Sequence, residues 1–269
     1  GSTQRALEAS NLKRACVTEK GHESMTNGAV VEAEGLWKDY GPLHALADVT
    51  FEIGKGEVFG LLGRNGSGKT TLLRILTGYR LPTAGSVRVA GMDLIRQSRA
   101  VRRRIGYMPE HPQLYADLTV RGLLRFVGNV HGLPRARQKS RIEELTSHFG
   151  LGAVIDRLAG HCSKGYRARI SLAAAVIHEP QVVFLDEPTD GLDPEQRHQT
   201  HELVRQLSEG STVVLSSHDL DEVGALCSRA LVLDRGRVAK LGAIDELGGV
   251  SGIAEVFRQT HERDRGQET

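Results

Sequence analysis

Short apolar runs alternate with stretches of helical texture along most of the chain. From Val30 onward, Val30 to Ala33, Val49 to Ile53, Val58 to Leu62, Ser86 to Val89, Ile105 to Met108, Val182 to Leu185, Thr212 to Leu215 and Ala230 to Leu233 predict strands. Several, Val182-Val183-Phe184-Leu185 above all, are apolar throughout, which fits strands covered on both faces of a parallel sheet. Helical patterns lie between them, and alternation of this kind predicts an α/β fold. The stretch from about Pro112 to Ala175 lacks strand-like runs and predicts consecutive helices. One begins near Thr119, places Leu123, Leu124, Phe126, Val127 and Val130 on one face, and stops at Gly132-Leu133-Pro134.

The expected organisation follows. Residues 1–28 read as a disordered tail or cloning remnant, with Gly1-Ser2 resembling a cloning scar and Met25 a possible natural start. One domain spans 29–245, its α/β core formed by 29–110 and 176–245, with a helical subdomain inserted at about 111–175. A C-terminal helix and tail fill 246–269.

The 269 residues include 39% hydrophobic and 25% charged side chains, which excludes disordered, collagen-like and disulfide-scaffold classes. A formal net charge of +2 gives no support for a nucleic-acid partner. Cys16, Cys162 and Cys227 have no metal spacing and read as reduced thiols. No apolar run approaches the roughly 20 residues that span a bilayer, so any membrane role is borrowed from a partner. Arginines cluster at Arg99, Arg102, Arg103 and Arg104, and Arg135, Arg137, Lys139 and Arg141 form a second basic group; both predict solvated helix faces rather than lipid or permease contacts.

Gly63-Arg64-Asn65-Gly66-Ser67-Gly68-Lys69-Thr70 fits G-x-x-x-x-G-K-[ST] between a predicted strand and the helix Thr71 to Leu76. Glycines let backbone amides wrap phosphate oxygens, Lys69 brings charge to the β and γ phosphates, and the Thr70 hydroxyl suits Mg²⁺. Val182 to Leu185 leads into Asp186-Glu187 at the carboxyl edge of the sheet, where such folds bind ligands. Alternation along a strand sends the two carboxylates to opposite sides, Asp186 toward Mg²⁺ and Glu187 toward the attacking water as general base.

With these residues the chain resembles the nucleotide-binding subunit of ATP-binding cassette (ABC) transporters over about residues 30–240. The resemblance implies the ABC ATPase fold: a mainly parallel P-loop core, an antiparallel β subdomain and the helical insert. It implies that Tyr40 stacks on adenine, that Gly63 through Thr71 bind the nucleotide, and that Lys69, Glu187 and His218 carry catalysis. Cys162-Ser163-Lys164-Gly165-Tyr166 stands where the family has Leu-Ser-Gly-Gly-Gln, so Ser163, Lys164 and Gly165, with Asp193 of Gly191-Leu192-Asp193, complete the site of a second copy. Lys164 and Tyr166 depart from the family's glycine and glutamine. Glu110, where most members have glutamine, joins Thr70 and Asp186 as a Mg²⁺ ligand. The Pro109-Glu110 and Ser-Lys-Gly-Tyr variants, together with Ile253 to Phe257, resemble the branch serving ABC-2 type exporters, including gliding-motility systems.

The expected protein is thus an ATPase that takes MgATP, dimerises around it, and drives a permease, with export the expected direction, from the cytoplasmic face of the membrane. A soluble ABC ATPase of ribosomes or chromosomes is the alternative, as is a nucleotide-gated scaffold. The 94 positions from Lys69 to Ser163 leave no room for a chromosome-type coiled coil. Glu187 and His218 argue against the scaffold.

Overall fold

The apolar runs pair into two sheets in the computed structural model, which describes residues 28–265. The expectations for residues 1–27, with Cys16 and Met25, lie outside the described residues. An antiparallel sheet contains β1 (Ala29–Tyr40), β2 (Leu43–Gly54), β4 (Ala84–Val89) and β5 (Met92–Asp93), in the order β2-β1-β4-β5. The second sheet contains β3 (Val58–Leu62), β6 (Ile105–Met108), β7 (Val182–Asp186), β8 (Thr212–Ser217), β9 (Arg229–Asp234) and β10 (Arg237–Ala243). Its order is β10-β9-β3-β8-β7-β6, with five parallel strands and β10 antiparallel at the edge.

Strands β3, β7 and β8 are buried at every residue. Their alternate side chains enter two different cores. Val182 and Phe184 face a core shared with β1, β2, β4 and helix α1 (Lys69–Leu76), where Phe51 stacks on Phe59. Val183 and Leu185 face the opposite core, roofed by the helices that follow. This two-sided burial explains why the runs are apolar without alternation. Each buried aromatic or aliphatic side chain contributes roughly 1.5–3 kcal/mol, so the sheet is the rigid layer of the molecule.

Helix α2 (Ser98–Arg102) is short; α3 (Val120–Val130), α4 (Arg135–His148) and α5 (Lys164–Val176) lie between β6 and β7 in sequence. Helices α6 (Pro194–Ser208), α7 (Leu220–Leu226) and α8 (Gly249–Arg265) complete the described chain. Ile253 of α8 is 1% exposed and joins the second core, so this helix closes the fold as an apolar face should.

Several expectations need correction. On α3, Val120, Leu123 and Leu124 are buried, but Phe126 and Val130 are exposed at 40% and 67%, so the apolar residues do not form one core face. Arg141 is not solvated: its guanidinium pairs with Glu144 and donates to the Val176 carbonyl at 3.2 Å, tying α4 to the end of α5. Helices α1 and α5 begin earlier than Thr71 and Arg169, because Gly68 and Ser163 sit at their N-caps. Strands β5 and β10 went unpredicted; β5 is two residues long, and the mostly exposed edge strand β10 mixes Arg237 and Lys240 with its apolar residues.

Candidate functional site

Parallel pairing sets the sheet's chemistry at one edge. Leu62 stands opposite Ser217, Asp186 opposite Ser216, and Met108 opposite Leu185, so the segments that follow β3, β6, β7 and β8 emerge side by side. They border a cleft of about 710 Å³. Arg64, Asn65, Gly66, Gly68, Lys69, Thr70 and Thr71 line it, together with Tyr40, Glu110, Glu187 and His218.

The loop after β3 is held by contacts that only glycine allows. A Cβ on Gly63 would lie 2.3 Å from Ser67 Oγ and 2.6 Å from the Leu233 carbonyl oxygen. Gly68 has φ 110°, and a Cβ there would lie 2.8 Å from the Ala45 carbonyl. Ser67 is buried beneath the loop instead of lining the cleft. Lys69 folds back so that Nζ donates to the Gly63 carbonyl at 2.6 Å and lies 3.3 Å from Glu187 Oε1.

Asp186 is 1% exposed. Its Oδ1 accepts from Ser216 Oγ at 2.6 Å and from Thr70 Oγ1 at 3.4 Å, while the buried Oδ2 has no hydrogen-bond partner. Burial pushes its pKa up, the Ser216 hydrogen bond opposes this, and the nearby carboxylates of Glu110 and Glu187 push it further up. An orphaned buried carboxylate oxygen beside a threonine hydroxyl and a second carboxylate is a donor set for a hard divalent ion. The residues therefore fit Mg²⁺. Among the described residues no group of three or more His, Cys, Asp or Glu could hold a metal ion, so Mg²⁺ here would draw only part of its shell from the protein.

Glu187 leaves the strand with φ 48°, a left-handed conformation that is costly for glutamate. Its separation from Asp186 comes from that turn, and not from strand alternation, because β7 ends at Asp186. The backbone N–H of Glu187 donates to Ser216 Oγ at 3.0 Å, and its carboxylate Oε2 lies 2.8 Å from His218 Nδ1. Glu187 is thus the bridge between Lys69 and His218, 11% exposed against 52% for the histidine.

One buried residue that ties the site's segments together escaped sequence reasoning. Glu222 of α7, 2% exposed, accepts from Thr189 Oγ1 at 2.7 Å and Ser217 Oγ at 2.6 Å, and lies 3.2 Å from His201 Nε2. It fastens the segment after Glu187 to the strand end before His218. Asp219 beside it caps α7 and accepts from Arg197 of α6 at 2.9 Å. Only the spacing of an acid in the first turn of a helix could have hinted at Glu222.

The remaining expected residues lie outside the cleft. Ser163 caps α5, accepting from the Tyr166 amide at 3.4 Å, and is exposed. Gly165 packs against Gln196, and the Lys164 ammonium rests on Gly191 with Asp190 Oδ2 at 4.0 Å. Asp193 is the N-cap of α6, accepting from the Gln196 amide at 2.8 Å. Cys162 is buried in the second core as a small apolar residue.

A family model described as ABC transporter matches residues 46–190. The chain is 40% identical over 223 residues to the daunorubicin resistance ATP-binding protein DrrA3 of Streptomyces coeruleorubidus, covering 82% of this chain and 71% of that protein. It is 37% identical over 216 residues to the Nod factor export ATP-binding protein I of Paraburkholderia xenovorans, covering 80% and 71% respectively. A solved ATP-binding subunit of an ABC transporter superposes with a TM-score of 0.77 at 30% identity, over 86% of this chain and 98% of that one.

Proposed function

Because the chain belongs to the ABC transporter family and is an ATPase subunit, we propose that two copies close head to tail around MgATP and drive export through a separate membrane permease. The observation that carries this reading is the split of the machinery. The cleft holds Lys69, Glu187 and His218, whereas Ser163 and Lys164 stand exposed at a helix start outside it, with Gly165 buried behind them. A helix N-terminus with free amides suits a phosphate, and here that phosphate belongs to the facing copy.

Within one cleft the division of labour is as follows. Tyr40 offers its ring to the adenine, and the amides of the Gly63–Thr70 loop, with Lys69, surround the phosphates. Thr70, Asp186 and Glu110 would hold Mg²⁺, which when bound neutralises charge on the triphosphate. Glu187 accepts the proton of the attacking water, and His218, hydrogen-bonded to it, orients the carboxylate and donates toward the terminal phosphate. Glu222 keeps both segments in place from behind. Charge-assisted contacts of this kind act on the transition state, where they are strongest.

Among the described residues no helix is long and apolar enough to cross a membrane. On this reading the permease is a separate chain, and this subunit works at the cytoplasmic face through it. Tyr115 and Phe126, exposed and in edge-to-face contact with centroids 5.0 Å apart on the helical insert, support that insert as the docking face. The relatives named for drug resistance and for Nod factor export support the export direction. Light scattering of Glu187→Gln with and without MgATP, and crosslinking from Tyr115→Cys in membranes, test the reading. ATP-dependent dimers and a crosslinked integral membrane protein are expected; a strict monomer, or crosslinks only to ribosomal proteins, would overturn it.

A further inference from the structure

Beside the nucleotide cleft lies a second cavity, of about 250 Å³. Glu110, Glu187 and Asp190 line both spaces, so these three residues stand where the two meet. The first turn of α5 adds Lys164 and Arg167 to the lining of the smaller one.

The two cations sit where local electrostatics disfavours them. They are the first and fourth residues of α5, and no acid accompanies them in its first turn. A helix start is the positive end of the dipole, and residues three apart share a face, so each charge opposes the helix and the other. Their partners do not offset this. The Lys164 ammonium has Asp190 Oδ2 at 4.0 Å, with both side chains about half exposed, a pair that contributes little. It is seated on Gly191, where a Cβ would collide with it. Arg167 is exposed, and among the described residues its side chain makes no hydrogen bond, ion pair or ring contact. Arg169, two residues on, lies over the Tyr166 ring at 4.7 Å by contrast. Two poorly partnered cations lining one cavity, against the preference of their helix, call for an anion.

We infer that this cavity receives the inorganic phosphate formed by hydrolysis, Lys164 and Arg167 drawing it out past Glu187 while ADP still occupies the cleft. An ammonium and a guanidinium offer eight N–H donors and no acceptor, which suits a phosphate dianion. The carboxylates shared by the two spaces repel such an anion, and the reaction itself removes one of these charges. The attacking water bonds the terminal phosphorus and gives its proton to Glu187, as the bond from that phosphorus to the ADP oxygen breaks. The gap beside the new phosphate has then lost a negative charge at the moment an anion must pass. The inference deepens the reading of Glu187 as general base and rests on it.

Single turnovers of the intact chain, in excess over MgATP, test it with two probes. Rapid quench counts all phosphate cleaved, and a fluorescent phosphate sensor counts free phosphate alone. Arg167→Gln should leave the cleavage rate unchanged and slow release at least about tenfold, the lower end for a lost charge-assisted hydrogen bond. Arg167→Lys should restore most of the release rate. Inorganic phosphate titrated into the chain with saturating MgADP should bind the wild type and bind Arg167→Gln weaker by a similar factor, with ADP affinity unchanged. Equal slowing of cleavage and release would overturn the inference in favour of Arg167 acting on the terminal phosphate of a facing copy. Release and phosphate binding as in the wild type would overturn it outright. Normal cleavage in Glu187→Gln would instead overturn the base assignment, and the charge argument with it.

Discussion

The carboxyl edge of the parallel sheet and the helical insert of α3–α5 are built to opposite standards. At the sheet edge each functional side chain has several fixed partners: Asp186 with Ser216 and Thr70, Glu187 with Lys69 and His218, Glu222 with Thr189, Ser217 and His201. On the insert, Tyr115 meets Phe126 edge-on with ring centroids 5.0 Å apart, and His131 stacks on His178, just past α5, with ring centroids 3.6 Å apart. Just past α5, His178 bonds the Ile105 carbonyl of β6 through Nε2 at 2.9 Å. The difference teaches where precision is needed. Proton transfer tolerates little displacement, whereas the docking layer proposed above needs room to adapt to a partner.

The comparison can be broken most severely at Glu187. Glu187→Gln should bind ATP yet lose at least about 100-fold in turnover, the lower end for a general base. Phosphate release under saturating MgATP measures it, and near-normal turnover would relocate the base. A smaller effect is expected one layer behind. Glu222→Ala strips a buried acceptor from Thr189, Ser217 and His201, so the protein should lose about 2 kcal/mol in urea unfolding. Turnover should fall by roughly tenfold with ATP affinity preserved, about 1.4 kcal/mol of barrier. Full activity in that variant would mean that the sheet edge holds its geometry without Glu222.

A third effect is expected just past α5, where the insert ends. Burial, with the adjacent His131 ring, holds the His178 pKa down to about 4 from its usual 6.5. The folded state therefore binds fewer protons than the unfolded chain between those values, and stability present above pH 6.5 should drain away as pH falls toward 4. Thermal midpoints across that window should drop more steeply for the wild type than for His178→Phe. Parallel curves would show that the stacked pair does not govern the insert's acid sensitivity.

Legibility in the sequence follows the same division. The fold class and the edge chemistry were readable because continuous apolar strands such as Val182 to Leu185 end directly in functional residues, and because the glycines of residues 63–68 follow from steric need. Tyr40, Lys69, Thr70, Glu110, Glu187 and His218 all line the one cleft, whereas Gly63, Ser67 and Asp186 do not. What escaped was long-range. Glu222 gains its meaning only when α7 lands beside Thr189, and Arg141 only when α4 reaches the Val176 carbonyl. Phe126 and Val130 show the converse, apolar residues whose periodicity gave no sign that one side of α3 stays uncovered.

The order of the parallel strands also bears on how the chain acquires its activity. Neighbours β3 and β8 are separated by some 150 residues, as Val58 opposite Val213 shows, and β6 meets β7 across the whole helical insert. Such distant pairings must overcome large loop-closure costs before they are rewarded, so they slow folding. The cleft comes into being only when the last of these strands docks in register. Nucleotide can then stabilise finished molecules by mass action and cannot help a half-paired chain. In refolding, the recovery of ATP binding should mark completion of the sheet itself.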